Sequence, residues 1–190
     1  SASEYMVLPA GHNGRDTQGF IMNRTSSGIQ GVQDSNLVSY VGFASDTTIS
    51  SGTAFSITVW LKPLSFSSNY FFGKNSNDCL LFTSDTNIRM VAGDSSTTTI
   101  NVTVPTMVAH NWVHVGIVRN SSNVVSIYTD GTVRGTGTVA KDFLYRYLGS
   151  IGSNAKFSGA VDDLAVYNAT ELSADQIERN YKAGKRRHQN

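Results

Sequence analysis

The stretch from Trp112 to Val133 leaves this chain the fewest choices. Trp112 to Val118 and Val124 to Tyr128 are rich in β-branched and aromatic residues, which suit a pleated strand better than a helix. Asn120 to Asn123 supplies a polar loop between them, and Asp130-Gly131 is the dipeptide that most easily takes positive φ at a two-residue turn. Three antiparallel strands are therefore written locally, and a lone hairpin is marginal in water, so they need a second sheet to pack on.

The rest of the chain provides it. In Phe55-Ser-Ile57-Thr-Val59-Trp60-Leu61-Lys-Pro63 the period of two puts Phe55, Ile57, Val59 and Leu61 on a core face, with Ser56, Thr58 and Trp60 opposite. Pro63 ends the strand or places it at an edge. Tyr70 to Gly73, Cys79 to Phe82, Asn87 to Ala92 and Ile100 to Val104 add short strands at even spacing, separated by turn-forming residues. That rhythm predicts a sandwich or barrel. Ser173 to Gln176 reads as a capping box, with Leu172 and Ile177 as its hydrophobic staple and Gly184 able to close the helix.

Three segments in order resemble one family. Trp112-Val-His114-Val followed by Ile127-Tyr128-Thr-Asp130-Gly131, Phe55 to Pro63, and Phe157-Ser-Gly159-Ala-Val161-Asp162-Asp163-Leu164-Ala-Val166-Tyr167-Asn168 are similar to motifs of laminin G-like, pentraxin-like domains of the concanavalin A-like lectin and glucanase superfamily. The resemblance spans residues 28–184 and implies an all-β, two-sheet antiparallel jelly-roll sandwich with one short C-terminal helix. It also implies a structural calcium held by Asp162, although the carboxylates of the family's early motif are replaced here by Val32-Gln33.

At 190 residues one domain is the default. Residues 1–27 read as an arm, either an edge strand with its loop or a contact arm whose apolar residues Tyr5, Leu8 and Phe20 would touch a neighbour. Residues 185–190 form a basic tail. Lys185, Arg186 and Arg187 are either a solvated end or a docking device for an acidic partner or nucleic acid.

The formal net charge of +1 with 15% charged residues gives no broad field for nucleic acid. A single cysteine, Cys79, excludes an internal disulfide framework and a cysteine-built zinc site. No apolar run is long enough to insert in a membrane, and no basic-then-apolar leader opens the chain. The expectation is an extracellular or particle-surface domain.

A glycoside hydrolase is the third alternative, and the residues argue against it. Retaining glycoside hydrolysis needs two carboxyl groups about 5 Å apart. Glu4, Glu171 and Glu178 lie outside the strands, and Asp162 and Asp163, as strand neighbours, should point to opposite faces. No activated-nucleophile motif is present. His110 and His114 would stand about 13 Å apart along a strand and cannot share an ion.

Sugar binding asks for aromatic platforms beside polar groups, for which Trp60, Tyr70, Tyr145 and Tyr147 are the candidates. The leading expectation is a non-catalytic module displayed on a larger assembly, such as a virion or phage surface, a decoration protein or an adhesin, with protein neighbours (its own copies included) and glycans as partners. The alternative is a free or enzyme-attached carbohydrate-binding module.

Overall fold

The computed structural model describes residues 20–22, 40–93, 96–151 and 157–188. Two antiparallel sheets face each other. The first is ordered β1 (Phe20–Met22), β12 (Gly159–Asn168), β3 (Phe55–Pro63), β8 (Val113–Arg119), β9 (Val124–Thr129), β10 (Thr132–Thr138). The second is ordered β2 (Val41–Ile49), β11 (Phe143–Leu148), β4 (Asn69–Asn75), β5 (Asp78–Ser84), β6 (Asn87–Ala92), β7 (Thr98–Thr103). This is the expected sandwich.

The predicted alternation of β3 decides the interior. Phe55, Ile57, Val59 and Leu61 enter the main core with Val113, Val115 and Ile117 of β8, and meet Phe71, Phe72, Phe82 and Phe143 of the second sheet. Tyr145 also joins this core, packed on Phe43 and Phe72.

The expected turns form as read. Asp130 and Gly131 both have positive φ, 49° and 77°, and join β9 to β10. Asp130 also ties the hairpin to its neighbour: its N–H donates to the His114 carbonyl at 2.9 Å, and its Oδ1 accepts from the His114 N–H at 3.0 Å. A Trp-x-His and a Tyr-x-Asp-Gly motif, distant in sequence, thus meet at one backbone–backbone and one backbone–side-chain hydrogen bond.

The helix α1 (Ala174–Lys185) carries its capping box, with Ser173 Oγ accepting from Gln176 N–H and Gln176 Oε1 accepting from Ser173 N–H. Leu172 and Ile177 pack together with Val118 and Tyr128, and Ile177 sits directly over Gly116 of β8. Burying Ile177 fully contributes about 2 kcal/mol.

The helix covers the outer face of the first sheet, so that face is buried too. Ser56 Oγ donates to the Thr170 carbonyl and accepts from Leu172 N–H, both at 2.9 Å, and Trp60 is only 3% exposed.

Two boundaries differ from the sequence reading. Helix α1 runs one residue past Gly184, because Gly184 lies inside it as the place where backbone passes against Trp60. The tail does not leave the sandwich either: residues 186–188 turn back, with Arg187 and His188 amides donating to the Gly184 carbonyl. Phe20 sits in β1 opposite Val161 of β12, so this part of the arm is an edge strand of the first sheet. Tyr5 and Leu8 lie outside the described residues.

Candidate ligand surface and the docked tail

Of the four candidate platforms, two are inside the fold. Trp60 is a correction to the sequence reading: Tyr181 stacks at 5.7 Å between centroids and His188 at 4.3 Å, leaving no face for a ligand. Tyr145 is a core residue for the reason given above. Its strand alternation turns it inward. Tyr70 is half-buried against the small cluster of Cys79, Leu81, Val91 and Ile151.

Tyr147 is different. Its partners across β11 are Gly42 on β2 and Gly73 on β4, so neither neighbouring strand presents a side chain over its ring. A β-carbon at Gly42 would touch that ring at 3.7 Å. Tyr40 meets Tyr147 edge-on at 5.2 Å, and the Arg146 guanidinium lies 5.6 Å from the ring centroid. Asp46 bridges Lys74 at 2.8 Å and Arg146 at 3.4 Å. The Lys74 hydrogen bond holds the Asp46 carboxyl below the usual carboxylate range.

The same β2–β11 pair borders a shallow cleft of about 420 Å³ lined by Thr48, Ser51, Lys141, Asp142 and Leu144. Asp142 Oδ1 accepts from the Ser51 N–H at 2.8 Å, which fixes one wall. A ring beside charged groups, with a hydroxyl- and carboxylate-lined cleft farther along the same strand pair, offers the stacking and hydrogen bonding that sugar recognition uses. No sequence signal marked Tyr40, Asp46 or Lys74, because their grouping depends on strand order.

On the opposite sheet, the carboxylates depart from expectation. Asp162 and Asp163 do not point to opposite faces: β12 carries a bulge between Asp162 and Ala165, and Asp163 has φ 49°. The extra residue brings both carboxylates to one place. There, Asp162 Oδ2 accepts from His188 Nε2 at 3.0 Å, Asp162 Oδ1 accepts from Asp163 N–H at 2.8 Å, and Asp163 Oδ2 pairs with the Arg187 guanidinium.

Burial alone would raise the Asp162 carboxyl, but the His188 and Asp163 hydrogen bonds and the two cations hold it below its ordinary value. Burial and the adjacent Asp162 push Asp163 up. Arg187 is thus engaged within its own chain, Lys185 lies 5.5 Å from the Tyr181 ring, and Arg186 caps the helix in an exposed position.

This arrangement does not fit the calcium expected at Asp162. Calcium takes six or more oxygens, whereas both Asp162 oxygens are engaged and an imidazole nitrogen and a guanidinium already sit on the pair.

The remaining chemistry-bearing groups are quiet. Burial pushes the Cys79 thiol up to about 12, which removes the thiolate a nucleophile needs. His114 is buried beneath Trp60 and Tyr181, and burial first, then the nearby His188 charge, lowers it to about 4. His110 is exposed in the loop before β8, with its N–H on the Pro63 carbonyl.

A family model described as the concanavalin A-like lectin/glucanases superfamily, of the laminin G type, matches residues 34–178. No curated protein matches the chain. Among solved structures, a proposed carbohydrate-binding protein from Bacteroides ovatus ATCC 8483 is similar at TM-score 0.56 and 16% identity, over 74% of this chain and 46% of that one. The receptor-binding domain of botulinum neurotoxin type G is similar at TM-score 0.51 and 13% identity, over 76% and 44%. The heptameric SAP-like pentraxin of Limulus polyphemus reaches TM-score 0.52 and 18% identity, over 86% and 82%. The chain spans less than half the length of the first two, and at these identities the likeness shows the fold.

Proposed function

The chain belongs to the concanavalin A-like lectin/glucanases superfamily, and from that premise we propose that it is a non-catalytic recognition module whose ligand is a glycan. The observation that carries this reading is Tyr147, an aromatic ring flanked by glycine on both neighbouring strands and bordered by Arg146, Asp46 and Lys74. A sugar ring would stack on the tyrosine while its hydroxyls reach the charged groups, and further units of a longer glycan would extend toward the Ser51–Asp142 cleft. A non-catalytic reading is supported by the state of the acids, since Asp163 is paired with Arg187 and Asp162 is hydrogen-bonded to His188. The carbohydrate-binding proposal for the Bacteroides neighbour and the receptor-binding role of the neurotoxin neighbour point the same way.

The test is a glycan array followed by titration calorimetry on the intact chain and on Tyr147→Ala. We expect a glycan that binds the intact chain and loses at least about tenfold in affinity in the variant, one base-stacking-sized contact. An array that stays blank with and without calcium would sink the reading, as would a Tyr147→Ala variant that binds unchanged.

In this reading the module works outside the cell or on a particle surface. Display on a larger assembly and life as a free carbohydrate-binding module differ in what the arm does. The mass of the chain in solution, with and without residues 1–27, separates them: loss of an oligomer on trimming favours display, and a monomer throughout favours the free module.

A further inference from the structure

Among the described residues one group of carboxylates and imidazole converges, Asp162, Asp163 and His188, with ligating atoms within 4.8 Å of one another. Its charge is balanced from within. The two carboxylates face two side chains that follow one another in the chain, the Arg187 guanidinium on Asp163 and the His188 imidazole on Asp162.

His188 is held in this place by its contacts. Its side chain is fully buried, and both ring nitrogens face oxygen acceptors: Nδ1 donates to the Gly184 carbonyl at 2.9 Å and Nε2 donates to Asp162 Oδ2 at 3.0 Å. The ring lies parallel to the Trp60 indole, 10° between planes, and edge-on to Trp112 at 4.7 Å, which fixes the imidazole against the sheet.

We infer that Arg187 and His188 are the resident partners of the β12 bulge: they occupy the place a divalent ion would take on Asp162 and Asp163, so the tail and a divalent ion compete for the same two carboxylates. The bulge turns both acids to one side, and a pair of like charges so placed needs a counter-charge. The chain supplies it covalently, from residues that helix α1 delivers when it ends at Lys185. With the tail withdrawn the donors left at the bulge are oxygens alone, which suits a hard ion of the calcium class rather than zinc. The inference is independent of the glycan reading, since the bulge lies on the other sheet.

Calcium chloride is the probe, titrated at matched ionic strength, and the readouts are tryptophan emission and the thermal midpoint. Both tryptophans of the protein touch His188, so emission follows the tail directly. The intact chain should be indifferent to calcium and to chelator. The Arg187→Ala/His188→Ala variant should bind calcium at least about tenfold more tightly than the intact chain, with a midpoint that rises with calcium, and adding Asp162→Asn/Asp163→Asn should abolish the response.

Equal calcium affinity with and without the tail would overturn the inference. So would a folded tail variant that ignores calcium. If the double variant does not fold, Arg187→Gln keeps the His188 stack and carries the same test: a calcium affinity no higher than that of the intact chain overturns the inference.

Discussion

Gly184 lies so close to the Trp60 indole that a β-carbon on it would stand 2.2 Å from Trp60 Nε1. The contact explains why a glycine, which costs a helix about 1 kcal/mol, is kept inside α1. Gly184→Ala should therefore destabilise the protein. Overpacking costs about 1–3 kcal/mol and outweighs the propensity gained, so the thermal midpoint should fall by several degrees. A midpoint that rises would show that Trp60 gives way and that the close approach decides nothing.

His114 predicts an acid limb in the stability curve. Its folded pKa is depressed from 6.5 to about 4, because burial disfavours the charged ring and His188 repels it. The unfolded chain therefore binds a proton that the folded one refuses between these values. The contribution is complete above pH 6.5 and is lost as pH falls toward 4, at an upper limit of about 3 kcal/mol. His114→Phe keeps a ring against Trp60 and removes the titration. Urea denaturation between pH 4 and 7 should show a shallower decline for the variant, and parallel curves would refute this assignment.

Asp130 joins two motifs by bonding the His114 backbone with both its own amide and its carboxylate, and its carboxyl is raised by burial. Asp130→Asn keeps an oxygen acceptor, tolerates the positive φ of 49° and carries no charge to bury, so it should be near neutral. Asp130→Ala leaves the His114 N–H without its acceptor and places an alanine in the left-handed region. It should cost about 2–3 kcal/mol by chemical denaturation. Equal stability of the two variants would mean the hydrogen bond contributes nothing.

The sandwich was legible because its signals are local: the alternation of β3, the polar loop and Asp-Gly turn around β9, and the capping box of α1 all act within a few residues. The edge strand β2 was not, since Gly42 to Thr48 is mostly exposed and has no apolar period to read. The site was legible only in pieces. Tyr147 was named as an aromatic, but its value comes from Gly42 and Gly73, which strand order brings beside it. Trp60 was misread as a free platform because alternation shows which side chains leave the core, not what later covers them. The tail was read by charge alone, whereas its partners on the bulge of β12 are set by an irregularity that a regular strand template excludes.

Arg119 links fold stability to the proposed ligand surface. It is fully buried at the end of β8, stacked 4.9 Å over Phe55, and its guanidinium donates to the carbonyls of Ile49, Ser50, Thr53 and Lys141. These carbonyls belong to the loops that carry Ser51 and Lys141 at the cleft. Burial lowers the guanidinium's pKa, yet with such acceptors around it the group remains charged. Arg119→Met fills the volume and strips every donor, so it should cost about 2–4 kcal/mol. Arg119→Lys keeps the charge but reaches fewer carbonyls and should fall between. The loops should loosen with it, seen as faster proteolysis near residues 50–53 and 140–142. If Arg119→Met is as stable as the parent and its loops are cleaved no faster, the cleft is held by something other than this residue.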